Sequence, residues 1–145
     1  MGLYLCIFDG DDELDGVEAG SYADFGYFRN AILQELENQP GGVQAAAESG
    51  TRFPILIVHA DCDGEWPAAD CEKLLGELDE IGSALKRRPP LDFSADWQKA
   101  VAEATGLVPS NAYESFIDVD GEFLIARLQG LAQLAIDRQL PILFQ

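Results

Sequence analysis

Leu3-Tyr4-Leu5-Cys6-Ile7-Phe8 is the stretch that decides the fold. It is a continuous apolar run, closed by Asp9-Gly10-Asp11-Asp12. A short run without a polar break reads as a strand buried on both faces, hence central in a sheet. Residues 9–16 are polar and rich in Gly and Asp, which predicts a turn or loop. Val17-Glu18-Ala19 then reads as a short return strand, making a hairpin with the first.

Outward from that hairpin the pattern becomes helical. Ser21 followed by Asp24 predicts a helix start of the capping-box type. Phe25, Phe28, Ile32 and Leu36 follow at helical spacing up to about Asn38. Residues 38–52 are dominated by Pro, Gly, Ala and Ser and are expected to form a flexible surface loop inside one domain. Phe53 to Val58 is a second apolar run, entered through Pro54, and is expected to be another central strand. Pro67 suits the first turn of a helix. Its apolar stripe is Cys71, Leu74, Leu75, Leu78, Ile81 and Leu85, closed by Lys86-Arg87-Arg88 and Pro89-Pro90. Ser94 is expected to cap a helix carrying Trp97, Val101 and Ala104, with Gly106 as its stop. Asp120 is expected to cap a last helix with Leu124, Leu128, Leu131, Ala132 and Ala135 inward, before a strand at Leu140–Phe144. The expected fold is α/β (α+β): a single domain with a small mixed sheet of about three to four strands and about four helices.

Charge narrows the function classes. The chain has 145 residues, and 26 Asp/Glu against nine Lys/Arg give a formal net charge of −17. Such a surface repels nucleic acid and anionic membranes and attracts basic partners or cations. An apolar fraction of 48 % argues against an acidic disordered chain. No apolar run approaches the ~20 residues of a membrane span, and the opening residues do not read as a signal peptide. Cys6, Cys62 and Cys71 are read as reduced thiols of a cytoplasmic protein. His59, Cys62 and Cys71 fit no zinc spacing, and small buried apolar residues are the better reading of the two thiols.

Two blocks share the pattern D-x-D-G-E-aromatic: Asp61-Cys62-Asp63-Gly64-Glu65-Trp66 and Asp118-Val119-Asp120-Gly121-Glu122-Phe123. Each resembles half of a calcium loop, yet neither continues with the further oxygens such a loop needs. Acids at helix starts, where free amides and the positive dipole end favour them, explain both blocks better. Nucleophile elbows, phosphate loops and dinucleotide fingerprints are absent. The lone His59, at the end of an expected strand, is read as bonded to backbone rather than as a general base. No catalytic residue, metal ligand or cofactor is assigned. An alternative is kept: if the strands at 3–8 and 53–58 are parallel neighbours, Asp9/Asp11 and Asp61/Asp63 converge at one sheet edge, as in a metal-binding module or metal-dependent hydrolase.

Several of these segments carry a resemblance. Residues 1–9, Asp11–Glu18 and Gly20–Phe25 resemble the start of a bacterial immunity-protein family of polymorphic toxin systems, numbered seventy among immunity proteins. Phe53–His59, Asp61–Trp66, Asp118–Glu122 and Pro141–Gln145 resemble its later blocks, with 38–52 standing as an insertion. The resemblance implies a non-enzymatic cytoplasmic protein that binds and blocks a cognate toxin domain. It supplies no binding residue. Charge density selects Asp9, Asp11, Asp12, Glu13 and Asp15, aided by Asp61, Asp63 and Glu65, as the partner-binding set for a basic toxin such as a nuclease.

Overall fold

The apolar opening run is a central strand, and the chain builds its core on one face of it. The structure, a computed structural model, describes residues 2–38, 42–59 and 64–145. Strand β1 (Gly2–Asp9) pairs antiparallel with β2 (Asp12–Ser21) on one side and β4 (Ile142–Phe144) on the other. The two-residue β3 (Glu65–Trp66) pairs with β4, giving the order β2-β1-β4-β3. The return strand is thus longer than Val17–Ala19. All pairings are antiparallel where a mixed sheet was expected, because every neighbour of β1 runs back against it.

Strand pairing sorts β1 into two faces, since cross-strand partners share a face and successive residues alternate. Leu3, Leu5 and Ile7 join Val17, Ala19, Trp66, Ile142 and Phe144 in the core cluster. Six α-helices follow, α1 (Tyr22–Ile32), α2 (Gly42–Ser49), α3 (Pro54–Ile57), α4 (Ala68–Leu85), α5 (Asp96–Thr105) and α6 (Leu124–Arg138), and all but α5 contribute residues to that cluster, with Leu33, Phe53, Ala112 and Phe116 joining from between them. Tyr4, Cys6, Phe8 and Leu143 lie on the other face and take no part in that cluster. The architecture is α+β.

The predicted caps divide. Ser21 and Asp24 form the capping box: the Asp24 amide donates to Ser21 Oγ at 3.1 Å, and Asp24 Oδ2 accepts the Ser21 amide at 2.9 Å. α1 runs on into a π-helical turn, Leu33–Glu37, and stops at left-handed Asn38. α5 begins after Ala95, not Ser94. The Ser94 hydroxyl instead lies 3.0 Å from both Asp24 Oδ1 and Gln98 Oε1, and Ala104 is exposed. Gly106 stops α5 with φ +72°. α6 begins after Phe123 rather than Asp120, and its five predicted inward residues are all buried.

Two segments differ from expectation. Residues 38–52 carry α2, whose Ala46 is fully buried, so part of that stretch anchors in the core. Residues 39–41 lie outside the described residues. Phe53–Val58 is not a strand but the short helix α3. Its amides account for the choice. Pro54 has none to satisfy. Ile55 and Leu56 donate to Glu77 Oε2 and Oε1 at 3.1 and 3.0 Å. Ile57 and Val58 donate to the Phe53 and Pro54 carbonyls. The buried Glu77 on α4 thus caps α3 from another helix, satisfying donors that a strand would have sent to a ladder. Trp66 Nε1 closes the unit by donating to the Ile55 carbonyl at 2.9 Å.

Candidate partner-binding surface

The hairpin turn is Gly10-Asp11, between the last strand pair Asp9 and Asp12. Gly10 has φ +64°, the positive value that a two-residue hairpin turn needs at its first position. The turn crowds five of the selected carboxylates onto one element, and the strand pairing then separates them. Asp9 and Asp15 lie on the helix side. Asp9 Oδ2 meets Arg138 at 3.3 Å, and Asp15 Oδ1 meets Arg127 at 3.5 Å. Glu13 lies on the opposite face, beside Phe8, and accepts the Tyr4 hydroxyl at 2.6 Å. That hydrogen bond, with burial and the Glu13 charge behind it, pushes Tyr4 up to about 12. Asp11 and Asp12 are exposed at the tip.

Arg127 joins the hairpin to the second D-x-D-G-E block. Its guanidinium donates to the Gly16 carbonyl at 2.7 Å and to Asp118 at 3.3 Å. Asp118 is buried and also accepts the amides of Asp120 and Glu122 at 2.9 and 3.0 Å. Its oxygens are taken up by a turn and a guanidinium, the arrangement of a helix approach rather than of an open cation loop. The backbone of β2 is covered at the same place: the Glu18 carbonyl accepts the Val119 amide.

Of the first block, Glu65 and Trp66 form β3; Asp61, Cys62 and Asp63 lie outside the described residues. Glu65 pairs with Leu143, which pairs with Cys6, so Glu65 shares the face of Glu13 and not that of Asp9 or Asp15. The convergence of Asp9/Asp11 with Asp61/Asp63 required a strand at 53–58 parallel to β1. That segment is α3, so the parallel strand pair is absent among the described residues. His59 Nε2 donates to the Glu65 carbonyl at 2.8 Å, and its ring stacks on Phe144 with centroids 4.2 Å apart. Cys71 is buried on α4, and burial, then the Asp70 charge, push its thiol up to about 11. Among the described residues no group of three or more His, Cys, Asp and Glu is placed to hold a metal ion.

Sequence reading missed four residues of the sheet's second face: Tyr4, Phe8, Glu18 and Leu143. The signal was available in the odd–even alternation of β1. It was hidden because both the odd and the even positions are apolar. The partners of Asp9 and Asp15 sit on α6, more than a hundred residues away, and no local pattern announces them.

The fold is thus a small α+β domain whose edge hairpin bears a dense run of carboxylates, Asp9 to Asp15. The chain belongs to the Immunity protein 70 family, whose model matches residues 3–144. No curated protein and no solved structure matches it. Among the described residues no helix is long and apolar enough to cross a membrane.

Proposed function

We propose that this protein binds a cognate toxin domain of a bacterial polymorphic toxin system and blocks it in the cytoplasm of the cell that makes it, without catalysis or a cofactor. The toxin domain is basic, of the nuclease kind. The docking set is Asp9, Asp11, Asp12, Glu13 and Asp15 with Asp61, Asp63 and Glu65. Membership of the immunity family carries the reading, and the net charge of −17 supports its basic partner. Carboxylates placed against a basic cleft occupy positions meant for phosphates and speed encounter at low salt.

Within that set the residues differ in what they are free to do. Asp9 and Asp15 already neutralise Arg138 and Arg127. Asp11 and Asp12, exposed at the turn, are available for steering. The double substitution Asp11→Asn with Asp12→Asn is expected to leave folding intact. It should slow association with the toxin domain and flatten its salt dependence, changing dissociation little. Stopped-flow binding at two ionic strengths and survival of toxin-expressing cells measure this. Unchanged rates with full protection would remove the tip from the mechanism.

A further inference from the structure

We propose that the open face of the sheet seats the toxin domain: an apolar centre of Tyr4, Phe8 and Leu143, rimmed by Glu13, Glu18 and Glu65, takes a basic surface carrying an apolar anchor. The inference rests on the toxin-binding reading and names the surface that does the work.

The face is set by register. Tyr4 pairs with Glu18, Phe8 with Glu13, and Leu143 with both Cys6 and Glu65, so these residues lie on the side away from the core cluster, with Cys6 among them fully buried. Tyr4, Phe8 and Leu143 are half-buried and stand outside the core cluster, while Glu13, Glu18 and Glu65 are exposed. The four strands contain no Lys or Arg. The two arginines that reach the hairpin come from α6, on the other side. The strands therefore give this face carboxylates and no cation of their own.

The face is also held rigid. Gly16 has no side chain, and the Tyr4 ring lies across it; a methyl group there would overlap the ring. Tyr4 is fixed a second time by its hydrogen bond to Glu13. An apolar centre on strands, with charges at its rim, is the anatomy of a protein-binding surface, and its rigid aromatic groups carry most of the binding energy. The charge selects the occupant. A second copy of this chain would bring Glu13, Glu18 and Glu65 against their own kind, whereas a basic partner is complementary.

The test uses the full chain and an inactivated form of the toxin domain encoded beside it. Leu143→Arg and Phe8→Ala should each weaken binding roughly tenfold or more, chiefly through faster dissociation. Glu65→Lys and Glu18→Lys, on exposed positions, should weaken it with unchanged unfolding midpoints. They keep the test decisive if a substitution at Phe8 or Leu143 impairs folding. Open-face variants that bind like the wild type, while the Asp11/Asp12 variant is impaired, would overturn the face and leave toxin binding standing. A wild-type protein that fails to bind the toxin domain would overturn both readings. A wild-type dimer by light scattering, dissolved by Glu65→Lys with toxin binding unchanged, would assign the face to self-association and overturn the proposal.

Discussion

Glu77 shows how one side chain can redirect a segment twenty residues away. Its carboxylate lies on the buried side of α4 and holds the two leading amides of α3. Burial pushes the carboxyl above its ordinary value of 4.5, and the Leu56 and Ile55 amides pull it only part of the way back. Glu77→Ala strands two buried donors and should cost about 2–4 kcal/mol. Glu77→Gln keeps one acceptor and should cost about 1–2 kcal/mol near neutral pH. The pH dependence follows from the sign of the shift. The folded state binds this proton more tightly than the unfolded chain, so its contribution is fully present below pH 4.5. It is lost as pH rises through the higher folded value. The Gln variant should lack that component, which denaturant midpoints across the acid range would reveal. The run at 53–58 was misread because a short apolar run is strand or helix alike by pattern, and Glu77, a charge within an amphipathic helix, reads as solvent-facing.

Elements whose identity depends on their own residues were legible. The stripes of α4 and α6, the capping box at Ser21 and Asp24, the apolar run of β1 and the strand at Ile142–Phe144 all follow from local spacing. What was not legible is how elements are fastened to each other. Arg127 is the clearest case, since it ties α6 to β2 and to the Asp118 turn at once. Asp24 does the same between α1 and α5, accepting Trp97 Nε1 at 2.9 Å. Burial works against its charge, yet hydrogen bonds from Trp97, Ser21 and Ser94 hold the carboxyl below its ordinary 3.8. Arg127→Met removes the cation from the buried Asp118 and should cost about 3 kcal/mol. The hairpin should loosen before the helices do, and amide exchange of β2 measured against that of α4 would show it. Equal loss of protection in both would mean that Arg127 supports the fold as a whole rather than this junction. The candidate surface was legible in its composition but not in its division between two faces.

Across the whole molecule the charges are unevenly arranged. α4 and α6 run antiparallel, with Gly82 near Ile125, so the C-terminus of α6 and the Asp9 end of the hairpin turn lie at the end away from the α4 C-terminus. Arg52, Arg87 and Arg88 gather at the other, where α4 ends, about 27 Å away along that helix. The sheet order adds a constraint of another kind, because β4 lies between β1 and β3 and joins Leu5 to Phe144. A chain ending at Leu140 should lose the link between hairpin and β3 and be largely unfolded by circular dichroism. A truncated chain with native spectra and midpoint would show that β4 is dispensable. The same arrangement sets a timetable. A ribosome delivers the hairpin first and Trp66 next, but the strand that joins them emerges only after α4, α5 and α6. Until then the inner side of β1 and the Trp66 ring have no strand between them. Closure of the sheet therefore waits for β4, and the interval before it is when chaperone capture and proteolysis compete with folding.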